Sequence, residues 1–181
     1  MHNDARLVVI TGGPGSGKST LLEALAEHYS VYAEAGRAII GEQQLLDGPG
    51  LPWRDRALYA ELMLAHDLRS YRAAEHTGGA AFFDRGIPDI IGYLRLCRLP
   101  VPQHLVEAAR RVRYHRQVLI TPDWPEIYRR DEQRTQSLDE AARTRAHVAA
   151  AYTDCGYELL DLPRADVPTR VRRARDVLVS G

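Results

Sequence analysis

Residues 12–20 of the chain read GGPGSGKST. The stretch matches the phosphate-binding pattern in which a glycine is followed by four residues and then by Gly-Lys-Ser or Gly-Lys-Thr. Glycines let backbone N–H groups turn inward without a Cβ in the way, and the start of a following helix favours an anion. The sequence therefore predicts that this loop, which we call the P-loop, cradles phosphate groups.

The residue types in the P-loop predict how a nucleoside triphosphate binds. Lys18 supplies a positive charge that reaches the β- and γ-phosphates, and the Ser19 hydroxyl is a ligand for Mg²⁺. ATP and Mg²⁺ are therefore the expected cofactors. The residues expected to bind the nucleotide are Gly13, Pro14, Gly15, Ser16, Gly17, Lys18, Ser19 and Thr20.

Lys18 is the one lysine among 24 basic residues; all the others are arginine. Genomic base composition alone can produce such a bias toward arginine. However, an ammonium group is narrow, whereas a guanidinium is a broad planar fork. A loop wrapped closely around a phosphate has room for the first and not the second, so the count supports the assignment of the P-loop.

Length and composition predict one compact domain over residues 1–181. Hydrophobic residues make up 45% of the chain, and 24 basic residues balance 24 acidic ones. Nucleic acid is an unlikely partner because dedicated nucleic-acid binders usually carry a basic excess. No apolar run approaches the ~18 residues of a membrane span, and the two cysteines form no CxxC pair. We expect a soluble cytoplasmic protein and leave a homodimer open.

Short apolar runs alternate with helical patterns along the chain. This alternation predicts an α/β fold in which a five-stranded, mainly parallel sheet lies between helices on both faces. Ligands of such sheets bind outside the carboxyl ends of the strands, so the loops there should converge. The five predicted strands are 7–10, 30–35, 80–83, 117–121 and 157–162.

Between the second and third predicted strands lie about forty residues. Residues 41–53 have the composition of a loop, and a helical pattern follows from Arg54 to about Glu75. A plain nucleotide switch needs no such insertion, so we interpret residues 41–78 as an element that covers a substrate. Trp53, Arg54 and Tyr59 are candidates for lining an acceptor pocket, with core packing as the alternative.

The third predicted strand ends in a carboxylate, Asp84, followed at once by Arg85. Asp84 could hold magnesium or accept a proton from a substrate hydroxyl. Arg85 could bind substrate or orient Asp84. A helix cap with a surface salt bridge is the alternative for the pair.

Two further groups of charged residues follow predicted strands. Glu34 and Arg37 come after the second strand, where they could bind substrate or pair structurally. Arg129, Arg130 and Arg134 come after the fourth strand, in a predicted lid over about 125–137. Arginines that close over a transferring phosphoryl group stabilise its charge. The alternative is that these arginines lie on the solvated face of a helix.

The last predicted helix begins near Asp166 and carries four arginines. An Asp at this place could cap the helix, whose apolar side would carry Val167, Val171, Ala174 and Leu178. We interpret the arginines as its solvated face, away from the crevice. They are Arg170, Arg172, Arg173 and Arg175.

Several segments together resemble the AAA_28 group of small P-loop ATPases and kinases, called NadR/Ttd14-like, which includes the ribosylnicotinamide kinase domain. They are GGPGSGKST at 12–20, EAGR at 34–37, FFDRGIPDIIGYL at 82–94, IYRRDEQRT at 127–135 and AYTDCGYELLDLP at 151–163. The resemblance implies a nucleotide-kinase-like core with Asp84 in the acceptor site. It also implies that Arg130 or Arg134 lies in a short lid.

The predicted function is that of a small-molecule kinase. It would transfer the γ-phosphoryl group of ATP to a hydroxyl or phosphate of a nucleoside, nucleotide or similar metabolite. The predicted catalytic residues are Lys18, Asp84, Arg130 and Arg134; the predicted substrate ligands are Glu34, Arg37 and Arg85; and the predicted metal ligands are Ser19 and Asp84. The alternative is a regulatory NTP-binding module that hydrolyses slowly and has no small-molecule acceptor.

Overall fold

The structure is a computed structural model that describes residues 6–125 and 138–179. Five strands alternate with seven helices in this part of the chain. In order they are β1 Leu7–Thr11, α1 Lys18–Leu25, β2 Ser30–Tyr32, α2 Ala35–Leu45, α3 Arg56–Thr77, β3 Ala81–Asp84, α4 Ile87–Leu96, α5 Gln103–Arg111, β4 Gln117–Ile120, α6 Leu138–Asp154, β5 Glu158–Asp161 and α7 Val167–Val179.

The strands form one sheet in the order β2-β3-β1-β4-β5, and each neighbouring pair is parallel. The predicted fold class is therefore confirmed. β1 lies at the centre, with Ile10 in register with Asp84 of β3 and with Leu119 of β4. This register places the carboxyl ends of β1, β3 and β4 side by side, directly before the loops that carry the predicted chemistry.

Helices cover both faces of the sheet, because alternate residues of the buried strands point to opposite faces. Val8 and Ile10 of β1 pack in one core with Leu21 of α1 and Val177 of α7. Val9, between them in β1, packs in a separate core that includes residues of α3 and α6. The architecture is thus a helix layer, a sheet and a second helix layer.

The segment after β2 differs from its prediction. The second strand ends at Tyr32, three residues early, because Ala35 begins α2, which continues to Leu45. The prediction of a loop over 41–53 is therefore wrong in its first half. Gly36 and Gly41 weaken the helical signal of this stretch, and the buried side chain of Ile39 supplies the packing that overrides it.

The long helix predicted from Arg54 begins two residues later, as α3. Asp55 caps it, since its Oδ1 accepts a hydrogen bond from the backbone N–H of Leu58 at 2.9 Å. The cap predicted at Asp166 is confirmed as well, because its Oδ1 accepts from the Thr169 N–H at 2.9 Å. Within the residues described, no helix has the length and apolar character required to cross a membrane.

Candidate active site

The first six residues of the P-loop, 12–17, lie between the end of β1 and the start of α1, and its last three, 18–20, form the first turn of α1. Gly17, which precedes α1, has a φ of 76°, a left-handed conformation that glycine adopts without strain. At Gly13 an added Cβ would lie 2.8 Å from the Ala141 carbonyl oxygen of α6. The loop thus turns tightly into α1, and Gly13 lies against the backbone of α6 with no room for a side chain.

Lys18 folds back over the P-loop. Its side chain is buried, and its Nζ donates to the Gly13 carbonyl oxygen at 2.9 Å. Burial and then the charge of Arg85 lower the pKa of Lys18 to about 8, against the opposing charge of Asp84. The ammonium group therefore lies where an incoming negative charge would be most stabilising.

Two hydroxyls support the P-loop from within. Ser16 Oγ donates to the Gly13 carbonyl oxygen at 2.7 Å and lies 2.6 Å from Thr121 Oγ1. Thr121, directly after β4, also donates to the Thr11 carbonyl oxygen at 3.1 Å. The side chain of Ser16 is thus engaged inside the loop. Of the other predicted loop hydroxyls, Ser19 is partly buried and Thr20 is exposed.

Asp84 is the last residue of β3, and its Oδ1 is a buried oxygen without a hydrogen-bond partner in the described part of the chain. Burial raises the pKa of Asp84, while the charge of Lys18 opposes that rise. An orphaned carboxylate oxygen and the Ser19 hydroxyl are donors that suit Mg²⁺, which usually takes one or two protein oxygens beside phosphates and water. The donor set at this place therefore fits the predicted magnesium ion. Among residues 6–125 and 138–179, no cluster of three or more His, Cys, Asp or Glu residues could hold a metal by itself.

Arg85 is held rigidly between two carboxylates. Its φ of 73° is rare for a residue with a side chain, and its N–H donates to the Ile10 carbonyl oxygen at 3.0 Å. Its guanidinium donates to Glu34 Oε1 at 3.1 Å and to Asp89 Oδ1 at 3.0 Å. The strained backbone and the two ion pairs together fix the direction of this side chain.

Glu34 lies at the N-terminus of α2 and meets two arginines. Arg85 contacts one of its oxygens, and Arg37 Nε lies 3.6 Å from the other. Burial raises the pKa of Glu34, but the charges of Arg85, Lys18 and Arg37 outweigh burial and lower it. Glu34 is therefore an ionised acceptor of hydrogen bonds at neutral pH.

The side chain of Tyr59, in α3, lies close to Gly36 and Glu34. An added Cβ at Gly36 would lie 2.5 Å from the Tyr59 hydroxyl oxygen and 3.5 Å from Glu34 Oε1. Burial and then the charge of Glu34 raise the pKa of Tyr59 far above neutrality. The hydroxyl thus stays protonated beside the Glu34 carboxylate.

The structure brings the charges of Lys18, Glu34, Asp84 and Arg85 together, a place that we call the crevice, and leaves Arg37 half-exposed at its edge. Arg129, Arg130 and Arg134, with most of the predicted lid at 125–137, lie outside the described residues. Of the three candidates for an acceptor pocket, only Tyr59 lies at the crevice. Trp53 is 60% exposed, and Arg54 donates to the carbonyl oxygens of Asp47 and Gly48.

Sequence reasoning missed the role of Asp89. Its Oδ1 accepts from Thr11 Oγ1 at 2.5 Å and from Arg85, and its Oδ2 accepts from Tyr152 at 2.7 Å and the Gly86 N–H at 3.0 Å. This buried carboxylate therefore ties β1 and α6 to the loop that carries Arg85. The sequence contained one signal for it: Asp89 lies three residues after Gly86, the spacing at which an acidic side chain caps the start of a helix, here α4.

The interpretation of Arg170 as part of a solvated face is wrong. Arg170 is 2% exposed, and its guanidinium donates to the carbonyl oxygens of Ser16 and Gly17 at 3.3 and 3.2 Å. It precedes Ala174 by four residues and so shares the buried stripe of α7, a spacing that the sequence already contains. The other three arginines of α7 are exposed as predicted.

A cavity of about 220 Å³ opens beside the P-loop. Its walls include Gly13, Ser16, Asp123, Trp124 and Asp139. The loop after β4 thus meets the P-loop, as expected from the convergence of strand ends.

The fold and the group formed by Lys18, Glu34, Asp84 and Arg85 define a P-loop protein with a carboxylate-lined site beside its phosphate-binding loop. A family model described as an AAA domain, AAA_28, matches residues 7–170. The chain belongs to this family, which confirms the resemblance found in its sequence. No curated protein sequence matches the chain.

Solved structures share the fold over almost the whole chain. Thymidylate kinase from Candida albicans superposes with a TM-score of 0.69 at 15% identity, over 97% of this chain and 91% of that one. Thymidylate kinase from Ehrlichia chaffeensis gives 0.61 at 16% identity, over 96% and 99%. The NadR protein in complex with NR gives 0.65 at 17% identity, over 98% of this chain but only 51% of the longer NadR chain.

Proposed function

We propose that the protein is a kinase that transfers the γ-phosphoryl group of ATP to a hydroxyl of a small molecule such as a nucleoside. One observation carries the proposal. Glu34 and Asp84 lie in the same crevice as Lys18, beside Arg85. The likeness in fold to thymidylate kinases and to NadR supports the same class of reaction.

The donor nucleotide binds through the P-loop. Backbone N–H groups of Gly13 and of residues 15–20 hold its phosphates, and Lys18 neutralises part of their charge. Ser19 and Asp84 would hold magnesium, which when bound shields the charge on the β- and γ-phosphates.

The acceptor hydroxyl reacts on the side of Glu34 and Asp84. Glu34, fixed by Arg85, accepts a hydrogen bond from the acceptor and orients it. The acceptor oxygen forms a bond to the γ-phosphorus, the bond from that phosphorus to the β–γ bridging oxygen breaks, and ADP leaves with its electron pair. The hydroxyl proton passes to Asp84 rather than to Glu34, because Arg85 and Arg37 already pair with the Glu34 carboxylate.

A hydroxyl suits this crevice better than a phosphate acceptor. Arg85 already donates to Glu34 and Asp89, and Arg37 lies beside Glu34 with its side chain 55% exposed. In the residues described, both arginines of the acceptor side are thus engaged by carboxylates. A phosphate dianion would have to displace Glu34 from Arg85, whereas a neutral hydroxyl adds to the existing pairs.

Two further parts of the proposal concern the surroundings of the site. We propose that Arg130 and Arg134 act from the lid and stabilise charge on the transferring phosphoryl group. The two free thiols, Cys97 and Cys155, suit a reducing compartment, so we propose that the reaction takes place in the cytoplasm.

The decisive experiment uses ATP labelled at the γ-phosphate and two matched pools. One pool contains nucleosides and the other contains the 5′-monophosphates of the same nucleosides. Transfer to a nucleoside supports the proposal, and Asp84→Asn serves as the matched inactive control. Transfer to monophosphates alone would contradict the hydroxyl acceptor, and hydrolysis at the same rate with and without acceptors would contradict the kinase altogether.

A further inference from the structure

Arg170 is a buried cation that meets the P-loop from the side of α7. Ala174 and Val177 of this helix pack against α1, and Arg170 lies one turn earlier on the same face. The two terminal nitrogens of its guanidinium donate to consecutive carbonyl oxygens, those of Ser16 and Gly17. The guanidinium is therefore hydrogen-bonded to two successive peptide units at the start of α1.

No carboxylate neutralises this charge in the part of the chain that the structure describes. Arg170 Nε is buried and has no hydrogen-bond partner there, and the carbon of the guanidinium lies 5.6 Å from the ring centre of Trp124. A buried charge without an ion pair costs stability, so a residue of this kind needs a compensating role. Because Arg170 contacts the P-loop, this role should concern the bound nucleotide.

The geometry of the peptide bond connects Arg170 to bound phosphate. In a planar trans peptide, the C=O of one residue and the N–H of the next point in opposite directions. The carbonyls of Ser16 and Gly17 share their peptide units with the N–H groups of Gly17 and Lys18. These N–H groups lie at the start of α1, where the first N–H groups of a helix have no partner within the helix.

We infer that Arg170 is a positioning residue that aims the N–H groups of Gly17 and Lys18 at the nucleotide phosphates by holding the opposite ends of the same peptide units. Hydrogen bonds that run in series polarise one another, so the cation also strengthens the two N–H donors. The inference rests on the proposed function in that it takes ATP as the ligand of the P-loop.

The test measures binding by calorimetry with two probes, ATP with Mg²⁺ and inorganic tripolyphosphate. The variants are Arg170→Met, Arg170→Lys, and Arg173→Met as a control on the exposed face of the same helix. We expect Arg170→Met to weaken both probes by a similar factor of about tenfold or more, the effect of losing a hydrogen bond to a charged group. Arg170→Lys should recover part of this loss, and Arg173→Met should bind as the parent does.

Steady-state kinetics give a second readout. Binding that is equal in the ground and transition states changes KM alone, so Arg170→Met should raise the KM for ATP with a much smaller change in kcat. A lower melting temperature of the free protein with unchanged affinity for tripolyphosphate would overturn the inference, since Arg170 would then serve stability only. Weaker binding of ATP with unchanged binding of tripolyphosphate would also overturn the inference. Arg170 would then act on the base of the nucleotide, on the side of Trp124, and not on its phosphates.

Three further outcomes are decided in advance, and the last two keep the inference separate from the proposed function. If Arg170→Met does not fold, Arg170→Lys decides the matter: the inference requires weaker tripolyphosphate binding in a variant that melts near the parent temperature. If the parent protein binds neither probe, the proposed function fails. If the parent binds both and the Arg170 variants bind them equally well, only the inference about Arg170 fails.

Discussion

Two arginines near the proposed site are held in opposite ways. Arg85, on the proposed acceptor side, is partly buried and lies between the carboxylates of Glu34 and Asp89. Arg170, on the donor side, contacts backbone carbonyls of the P-loop. The donor side is thus built mainly from backbone, while the acceptor side is built from side chains.

The difference bears on what each side can recognise. Backbone groups in a glycine-rich loop suit any phosphate, which makes the donor side general. Side chains on α2, α3 and the loop after β3 can change one at a time, which makes the acceptor side specific. A substitution on the acceptor side should therefore act on turnover or acceptor affinity, and one on the donor side on nucleotide affinity.

The largest expected effect would come from Asp84→Asn. The amide keeps the size of the side chain but cannot take a proton, so turnover should fall by about a thousandfold while ATP still binds. Single-turnover transfer and ATP binding, measured on the same preparation, separate the two effects. Transfer at the parent rate would show that Asp84 is not the proton acceptor.

Asp89→Ala should be the most damaging change to stability. It removes one of the two carboxylates that hold Arg85 and leaves the buried Tyr152 hydroxyl without its acceptor, a loss of about 3 kcal/mol in the free energy of unfolding. Urea denaturation measures the change. The matched control is Asp154→Ala, whose pair with Arg95 is largely exposed and should contribute less than about 1 kcal/mol. Equal losses in the two variants would contradict the role of Asp89 as a buried hub.

Lys18→Arg keeps the charge on the donor side but replaces the narrow ammonium by a wide fork. Because Lys18 Nζ is buried against the Gly13 carbonyl oxygen, we expect ATP affinity or turnover to fall by about a hundredfold. Calorimetry with ATP and steady-state kinetics test this expectation. Parent-like values in both would mean that charge alone is sufficient in the loop.

Arg37→Met should have the smallest effect and should sharpen the contrast within the acceptor side. Arg37 is half-exposed and lies 3.6 Å from Glu34, so its loss is worth about 1 kcal/mol at most. We expect the KM of the acceptor to rise a few-fold with the KM of ATP unchanged. A larger change in the KM of ATP would place Arg37 on the donor side.

The sequence was sufficient for the parallel sheet and for the place of the P-loop. The alternation of strands with helices and the P-loop pattern are local signals, and the structure has the predicted sheet and a tight loop between β1 and α1. That the loop residues hold nucleotide phosphates stays a prediction. The roles of Asp89 and Arg170 could not be seen in the same way, since each depends on partners that are remote in sequence. Arg170 is 153 residues from Gly17, and only the docking of α7 on α1 brings the two together.

The α2 helix illustrates a second reason. Its glycines indicate a loop, but Gly36 is needed where the Tyr59 hydroxyl approaches the helix. Local propensity and tertiary packing disagree there, and packing prevails. The candidate site residues Glu34 and Arg37 were singled out because they come after a predicted strand, although the helix that carries Arg37 was not predicted.

Asp89 has a consequence for how the protein folds. Its hydrogen-bond partners Thr11 and Tyr152 are 78 and 63 residues away along the chain. Closing such long loops is entropically costly, so these contacts form only when the sheet and α6 have assembled together. The proposed acceptor site is therefore completed in the same cooperative event as the fold, and a partly folded chain that already has its P-loop would still lack an oriented Arg85.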